Sequence, residues 1–227
     1  MQLDFAAREL TIKLVYYGPA LSGKTTNLQA IHQLVSSEGR GRLMTLDTRD
    51  DRTLFFDLLP LNFVAGSGLT VRLKLFTVPG QVIHNATRRL VLQGADGVAF
   101  IADSQRAETK ANAAAFLNLK QNLKDNGLEP AKIPTVIQFN KRDLPDVRPD
   151  AEIDGLAQKG KEPVYKAVAT SGGGVMETFL GLVRVTWDAL ENDHQLKQKF
   201  QINPDQVMRN LKERLGLNER VRGGAVP

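Results

Sequence analysis

Residues 18 to 25 read Gly-Pro-Ala-Leu-Ser-Gly-Lys-Thr, which fits Gly-x4-Gly-Lys-Ser/Thr, a spacing suited to holding the phosphates of a nucleotide. In such a loop backbone N–H groups converge on an anion, the lysine reaches the β- and γ-phosphates, and the last hydroxyl ligates Mg²⁺. Lys24 and Thr25 take those two roles, and Gly18, Ala20, Ser22, Gly23 and Thr26 complete the cradle. The loop alone does not choose between adenine and guanine. Asn140-Lys141-Arg142-Asp143 does. A carboxylate at Asp143 can accept from both N1–H and the exocyclic amine of guanine, a donor pair that adenine lacks. Asn140 can bond N7, and the Lys141 stem can lie over the base. A site whose polar groups are left unpaired by the wrong base rejects it strongly, and on this motif an ATPase or kinase reading fails.

Both constellations need a particular frame. Residues 10–17 are apolar and β-branched, and residues 26–35 are helix-compatible. Strand, glycine turn and helix in that order aim N–H groups and the helix's positive end at one point. Further strand-like runs fall at 69–78, 98–102, 135–139 and 164–168, with helix-compatible stretches at 106–126, 151–159 and 175–191. Strands alternating with helices predict an α/β fold with a mostly parallel sheet covered on both faces. In such sheets ligands bind outside the carboxyl ends of the strands, which puts both motifs on one rim. Between 42 and 78, short apolar runs at 44–46, 61–64 and 69–78 follow one another without a helix, which predicts one antiparallel pairing at a sheet edge.

The pattern divides the chain into a nucleotide domain over 1–191 and a C-terminal extension over 192–227. In the extension, Asn203-Pro204-Asp205 reads as an N-cap, a first-turn proline and a first-turn acid. Val207, Leu211 and Leu215 then stripe one face of a short amphipathic helix, about 204–215, that packs onto its own domain or onto another protein. The last residues, 222–227, read as a disordered tail.

Composition narrows the class further. Lys and Arg number 30 against 25 Asp and Glu, a net charge of +5 without a run that marks a nucleic-acid arm. The chain has no cysteine, so disulfides, thiolate metal sites, cysteine nucleophiles and prenyl or palmitoyl anchors are excluded. There is no span of 18 apolar residues and no signal-peptide pattern, so the expectation is a cytoplasmic protein without a membrane anchor of its own. His32, His84 and His194 lack metal-ligand spacing. Trp187 reads as core.

The strings VYYGPALSGKTTNL, DRTLFFDLLP, FTVPGQ, ADS and QFNKRDLP, within about residues 8–190, resemble a Ras-like small GTPase, more closely the bacterial MglA family of polarity and gliding-motility switches. The resemblance implies a P-loop NTPase of the Ras-like G-domain fold that uses GTP/GDP and Mg²⁺, with slow intrinsic hydrolysis. By the same resemblance Thr53 binds Mg²⁺ and the γ-phosphate in the GTP state, and Arg52 is supplied in cis to the transition state. Gly80 offers its N–H to the γ-phosphate, Gln81 orients the attacking water, and the Ala169 N–H touches guanine O6. Phe55 and Phe56 fit core or partner surface equally. Two departures stand out. Thr77 occupies the place of the aspartate that usually holds Mg²⁺ through water, as in MglA-like sequences, and Ala20 stands where glycine is usual. The expectation is that GTP binds and hydrolysis is slowed. The resemblance also implies a roadblock-type, MglB-like homodimeric activator and polarity or motility effectors that recruit the chain to a pole or membrane site. The alternative is a hydrolysis-deficient, GTP-bound scaffold that recruits partners.

Overall fold

Successive side chains of a strand point to opposite faces, and in β2 (Glu9–Tyr17) both faces are apolar, so this strand must be covered twice. Leu10, Ile12, Leu14 and Tyr16 enter one core, and Val15 and Tyr17 enter the other. The computed structural model describes residues 1–46, 56–66, 68–81 and 84–217. Among these, eight strands form a single sheet in the order β3-β4-β5-β2-β6-β7-β8, with β1 beside the start of β2. The remaining strands are β1 (Gln2–Asp4), β3 (Met44–Leu46), β4 (Phe56–Val64), β5 (Thr70–Thr77), β6 (Gly97–Asp103), β7 (Thr135–Asn140) and β8 (Val164–Lys166). From β5 through β2, β6 and β7 to β8 every pairing is parallel. This is the mostly parallel α/β architecture that the alternation of elements predicts.

The edge departs from expectation. Both β3–β4 and β4–β5 are antiparallel, as is β1–β2. The strand expected at 61–64 begins at Phe56, because Pro60 interrupts the apolar pattern without interrupting the strand. A proline brings no N–H to a ladder, and the Pro60 carbonyl still accepts the Gly41 N–H at 2.8 Å. Asp57, Leu59, Leu61 and Phe63 alternate as the buried positions of this strand.

One face of the sheet carries α1 (Lys24–Leu34) and α5 (Val175–His194); the other carries α2 (Asn85–Leu92), α3 (Thr109–Asp125) and α4 (Asp150–Lys159). The helix α2 has no clear signal in the sequence. Trp187 is fully buried in the first core. After α5 come α6 (Leu196–Phe200) and α7 (Pro204–Arg214). Asn203 caps α7 through its side chain, which accepts the Asp205 N–H at 2.9 Å, and Pro204 opens the first turn. Leu196, Phe200, Ile202, Val207, Leu211 and Leu215 are buried in the same core as α1, α5 and β4. Among the described residues, no helix is long and apolar enough to cross a membrane.

Candidate nucleotide and metal site

The parallel strands end at one rim. Gly18 follows β2, Gly80 lies just beyond β5, Asp103 closes β6, Asn140 closes β7 and Ala167–Ala169 follow β8. The phosphate loop needs its glycines for two different close approaches. At Gly18 (φ +154°) a Cβ would lie 2.2 Å from the Ile101 carbonyl oxygen, and at Gly23 (φ +94°) 2.2 Å from Asn140 Nδ2. Gly23 is also the N-cap of α1, where no side chain caps the helix and no acid sits in the first turn. The first N–H groups of α1 therefore lack a side-chain partner, which is what an anion at that end supplies.

Lys24 is 6% exposed, and its Nζ donates to the Gly18 carbonyl (3.2 Å) and the Pro19 carbonyl (2.6 Å). Burial, reinforced by Arg88, pushes its ammonium down to about 7, while Asp57 opposes the shift. A buried cation held only by carbonyls lacks an anion, and a phosphate is the natural one.

At the base end, Asn140 ties three loops together. Its Nδ2 donates to the Ser22 carbonyl and its Oδ1 accepts the Ala169 N–H, each at 2.9 Å. The second amide hydrogen is left over for a ligand. The Ala169 N–H, expected to touch guanine O6, is given to Asn140 in this structure. Lys141 pairs with the buried Asp103 at 2.6 Å, which fixes the path of its stem. Asp143 is exposed on the same loop.

A cavity of about 650 Å³ joins Ala20, Gly23, Lys24, Thr25 and Thr26 to Thr77, Gly80 and Gln81. One further residue lines it that sequence reasoning passed over. Asp57, 5% exposed, accepts the Thr25 hydroxyl (2.6 Å) and the Thr77 hydroxyl (2.9 Å) on Oδ2, and the Thr45 hydroxyl (2.9 Å) on Oδ1. Its own N–H donates to Thr77 Oγ1 at 2.9 Å. A buried carboxylate needs such donors. The signal for it is the period of β4: Asp57 is the first inward position of an otherwise apolar alternation.

The Gly80 loop is braced from below. Arg88 of α2, 1% exposed, donates from Nε to the Pro79 carbonyl (2.8 Å), from Nη2 to the Gly80 carbonyl, and from Nη1 to Asn118 Oδ1 (2.8 Å). Gly80 itself lies on the phosphate loop: a Cβ there would be 2.4 Å from Ala20 Cα and 3.1 Å from the Ala20 methyl. Gln81 is exposed at the cavity mouth. Phe56 is half-buried against Phe76, with ring centroids 6.0 Å apart. Arg52, Thr53 and Phe55 lie outside the described residues.

The donor set suits a hard cation. Among the described residues no group of three or more His, Cys, Asp or Glu side chains could hold a metal. Mg²⁺ does not require one, since it is commonly held by one or two carboxylates together with substrate phosphates and water. Thr25 and Asp57 place side-chain oxygens beside the cradle.

No family profile matches the chain. The Mutual gliding-motility protein MglA of Myxococcus xanthus (strain DK1622) is 44% identical to it over 189 residues, spanning 83% of this chain and 97% of that protein.

Proposed function

The chain belongs to the MglA family of Ras-like small GTPases, and we propose that it is a GTP-driven switch whose bound state governs partner binding in gliding motility or cell polarity. The observation that carries this reading is the convergence of Lys24, Thr25, Asp57, Gly80 and Gln81 on one cavity, beside the base-reading loop at Asn140–Asp143. Asp143 selects guanine, and the free hydrogen of Asn140 holds the base at N7. The N-terminus of α1 and Lys24 take the β- and γ-phosphates, an anion that restores full charge to the Lys24 ammonium. Thr25 and Asp57 hold Mg²⁺, with Thr53 joining them in the GTP state. When bound, Mg²⁺ neutralises charge on the phosphate oxygens.

In hydrolysis, Gln81 orients the attacking water, and Arg52 and Lys24 stabilise the charge that develops on the γ-phosphate. Arg88 fixes the backbone from which Gly80 and Gln81 act. Loss of the γ-phosphate removes the partner of the Gly80 N–H and of Thr53, so both segments change state together. Partners read that difference: an MglB-like activator, a homodimer of the roadblock type, and motility or polarity effectors that bring the chain to a pole or membrane site.

The contact of Gly80 with Ala20 favours a second reading, a scaffold that holds GTP and barely cleaves it. Phosphate release under multiple turnover, with and without an MglB-like protein, separates the two. A switch releases phosphate slowly alone and faster with the activator. Release that stays negligible in both conditions, while GTP remains bound, establishes the scaffold.

A further inference from the structure

The strand that carries Asp57 is held at its far end by the C-terminal segment. Along β4, Asp57 and Val64 are about 23 Å apart at the usual strand rise. At the Asp57 end the outer neighbour β3 covers only Phe56, Asp57 and Leu58. The rest of the outer flank is covered by the connector between α1 and β3. There Gly41 N–H donates to Pro60 O and Asn62 N–H to Gly39 O, each at 2.8 Å, and Arg40 bridges Leu61.

That connector is itself fastened to the C-terminal segment. Ser36 donates its N–H to the Leu215 carbonyl (3.1 Å) and its hydroxyl to the Arg214 carbonyl (2.7 Å). Arg214 donates to the Glu38 carboxylate (2.9 Å) and to the Glu38 carbonyl (2.8 Å). The fit leaves no room at Gly39, where a Cβ would lie 3.1 Å from both Arg214 O and Leu215 Cδ2. Beneath these bonds Val207, Leu211 and Leu215 share a core with Leu61, Phe63 and Ala65 of the β4 end, and Asn210 Nδ2 donates to the Val64 carbonyl at 3.2 Å. Asp205 completes the attachment by pairing with Arg184 of α5 at 2.5 Å.

We infer that residues 195–217 are a built-in lock on the β3–β4 edge, and that α7 positions Asp57 from the opposite end of its strand. The lock covers the connector that leads into β3, whose Thr45 donates to Asp57, and it covers the outer half of β4 itself. The C-terminal segment thereby holds β4 directly and β3 through the connector that leads into it. A chain without this segment leaves the inward side chains of Leu61 and Phe63 open on one side, and edge strands that lose cover open locally at low free-energy cost. The segment is therefore a place where retention of Mg²⁺-nucleotide can be tuned without touching the base. The nucleotide consequence rests on the proposed role of Asp57; the lock on β4 does not.

The test uses the full chain. Leu211→Asp ejects the apolar face of α7, and Ser36→Ala with Arg214→Ala removes the surface fastening while keeping that face. Hydrogen exchange over residues 56–64 is read without nucleotide, and retention of a fluorescent GDP analogue is titrated with Mg²⁺ and then with EDTA. Leu211→Asp is expected to speed exchange over 56–64 and to raise the Mg²⁺ midpoint by about 5- to 20-fold, within the usual range of coupling between two sites. Retention in EDTA is expected to stay the same. The surface double variant shifts both readouts in the same direction by less, and it alone carries the test if Leu211→Asp does not fold. Unchanged exchange over 56–64 in the variants that fold overturns the lock. If exchange rises but neither these variants nor Asp57→Asn moves the midpoint, the lock stands and the role given to Asp57 fails.

Discussion

At the base end of the site Asn140 is buried, its amide joins the Ser22 and Ala169 loops with one hydrogen to spare, and its strand is flanked on each side by parallel neighbours. At the metal end Asp57 is also buried and well bonded, but it stands on β4, which runs antiparallel to both of its neighbours. The base end is one tetrapeptide that starts at the last residue of β7, a strand parallel to both of its neighbours. The metal end is assembled from β4, β5 and α1, with β3 fastening it. In the proposed site the residues that read guanine stand on the wholly parallel side of the sheet. The residues assigned to Mg²⁺ and the γ-phosphate stand on the side that ends in antiparallel pairings.

The largest expected effect tests the base end. Asp143→Ala removes two charge-assisted hydrogen bonds to guanine and is expected to weaken GDP binding by about 10²- to 10⁴-fold. The factor is the same with Mg²⁺ and in EDTA, as competition with a fluorescent analogue would show; a factor that depends on Mg²⁺ breaks the separation of the two ends. Asp57→Asn acts on the metal end. It is expected to raise the Mg²⁺ midpoint for GDP retention by about 10- to 100-fold, with EDTA-state affinity unchanged.

Lys24 joins the two ends, and its ammonium reads the state of the cradle. Without nucleotide its pKa lies at about 7, against 10.5 for a free lysine. Between those values the folded chain holds it neutral while the unfolded chain holds it charged. The unfolded state then binds more protons, so stability of the nucleotide-free protein rises with pH from about 7 towards 10.5. Thermal unfolding of the parent and Lys24→Met checks this, because the variant loses the rise. Bound phosphates favour the charged form, so GDP binding at pH 8 takes up protons, which calorimetry in buffers of different ionisation enthalpy detects. Ala20→Gly makes the smallest change. Removing the methyl against Gly80 is expected to speed single-turnover GTP cleavage by about 10-fold, the low end of what one methyl group is worth in a tight site. Equal rates would free Ala20 of any role in slowing the reaction.

The sheet was legible because its central strands are apolar on both faces and bounded by glycine and polar turns. The same pattern put Gly18–Thr25 and Asn140–Asp143 on one rim. Local signals also sufficed for α7, where Asn203, Pro204 and the stripe of Val207, Leu211 and Leu215 agree. The edge was harder. Pro60 hid the first half of β4, and the extra antiparallel pairings depend on tertiary partners that no local pattern announces. Asp57 went unread for that reason: a carboxylate looks like a surface residue until the strand around it is seen to alternate. The mixed sequence of α2 likewise hid Arg88, whose partners are two carbonyls and the Asn118 amide rather than a carboxylate.

The central claim is that a carboxylate from β4 serves Mg²⁺ where β5 offers only Thr77. Because Asp57 Oδ2 lies 2.9 Å from Thr77 Oγ1, a carboxylate at position 77 reaches the same space. The direct measurement is the Mg²⁺ midpoint for GDP retention in the parent, in Asp57→Asn, and in Asp57→Asn combined with Thr77→Asp. The account predicts a midpoint that rises in the single variant and returns towards the parent in the double variant. A midpoint that never moves, or one that the second substitution leaves raised, contradicts it.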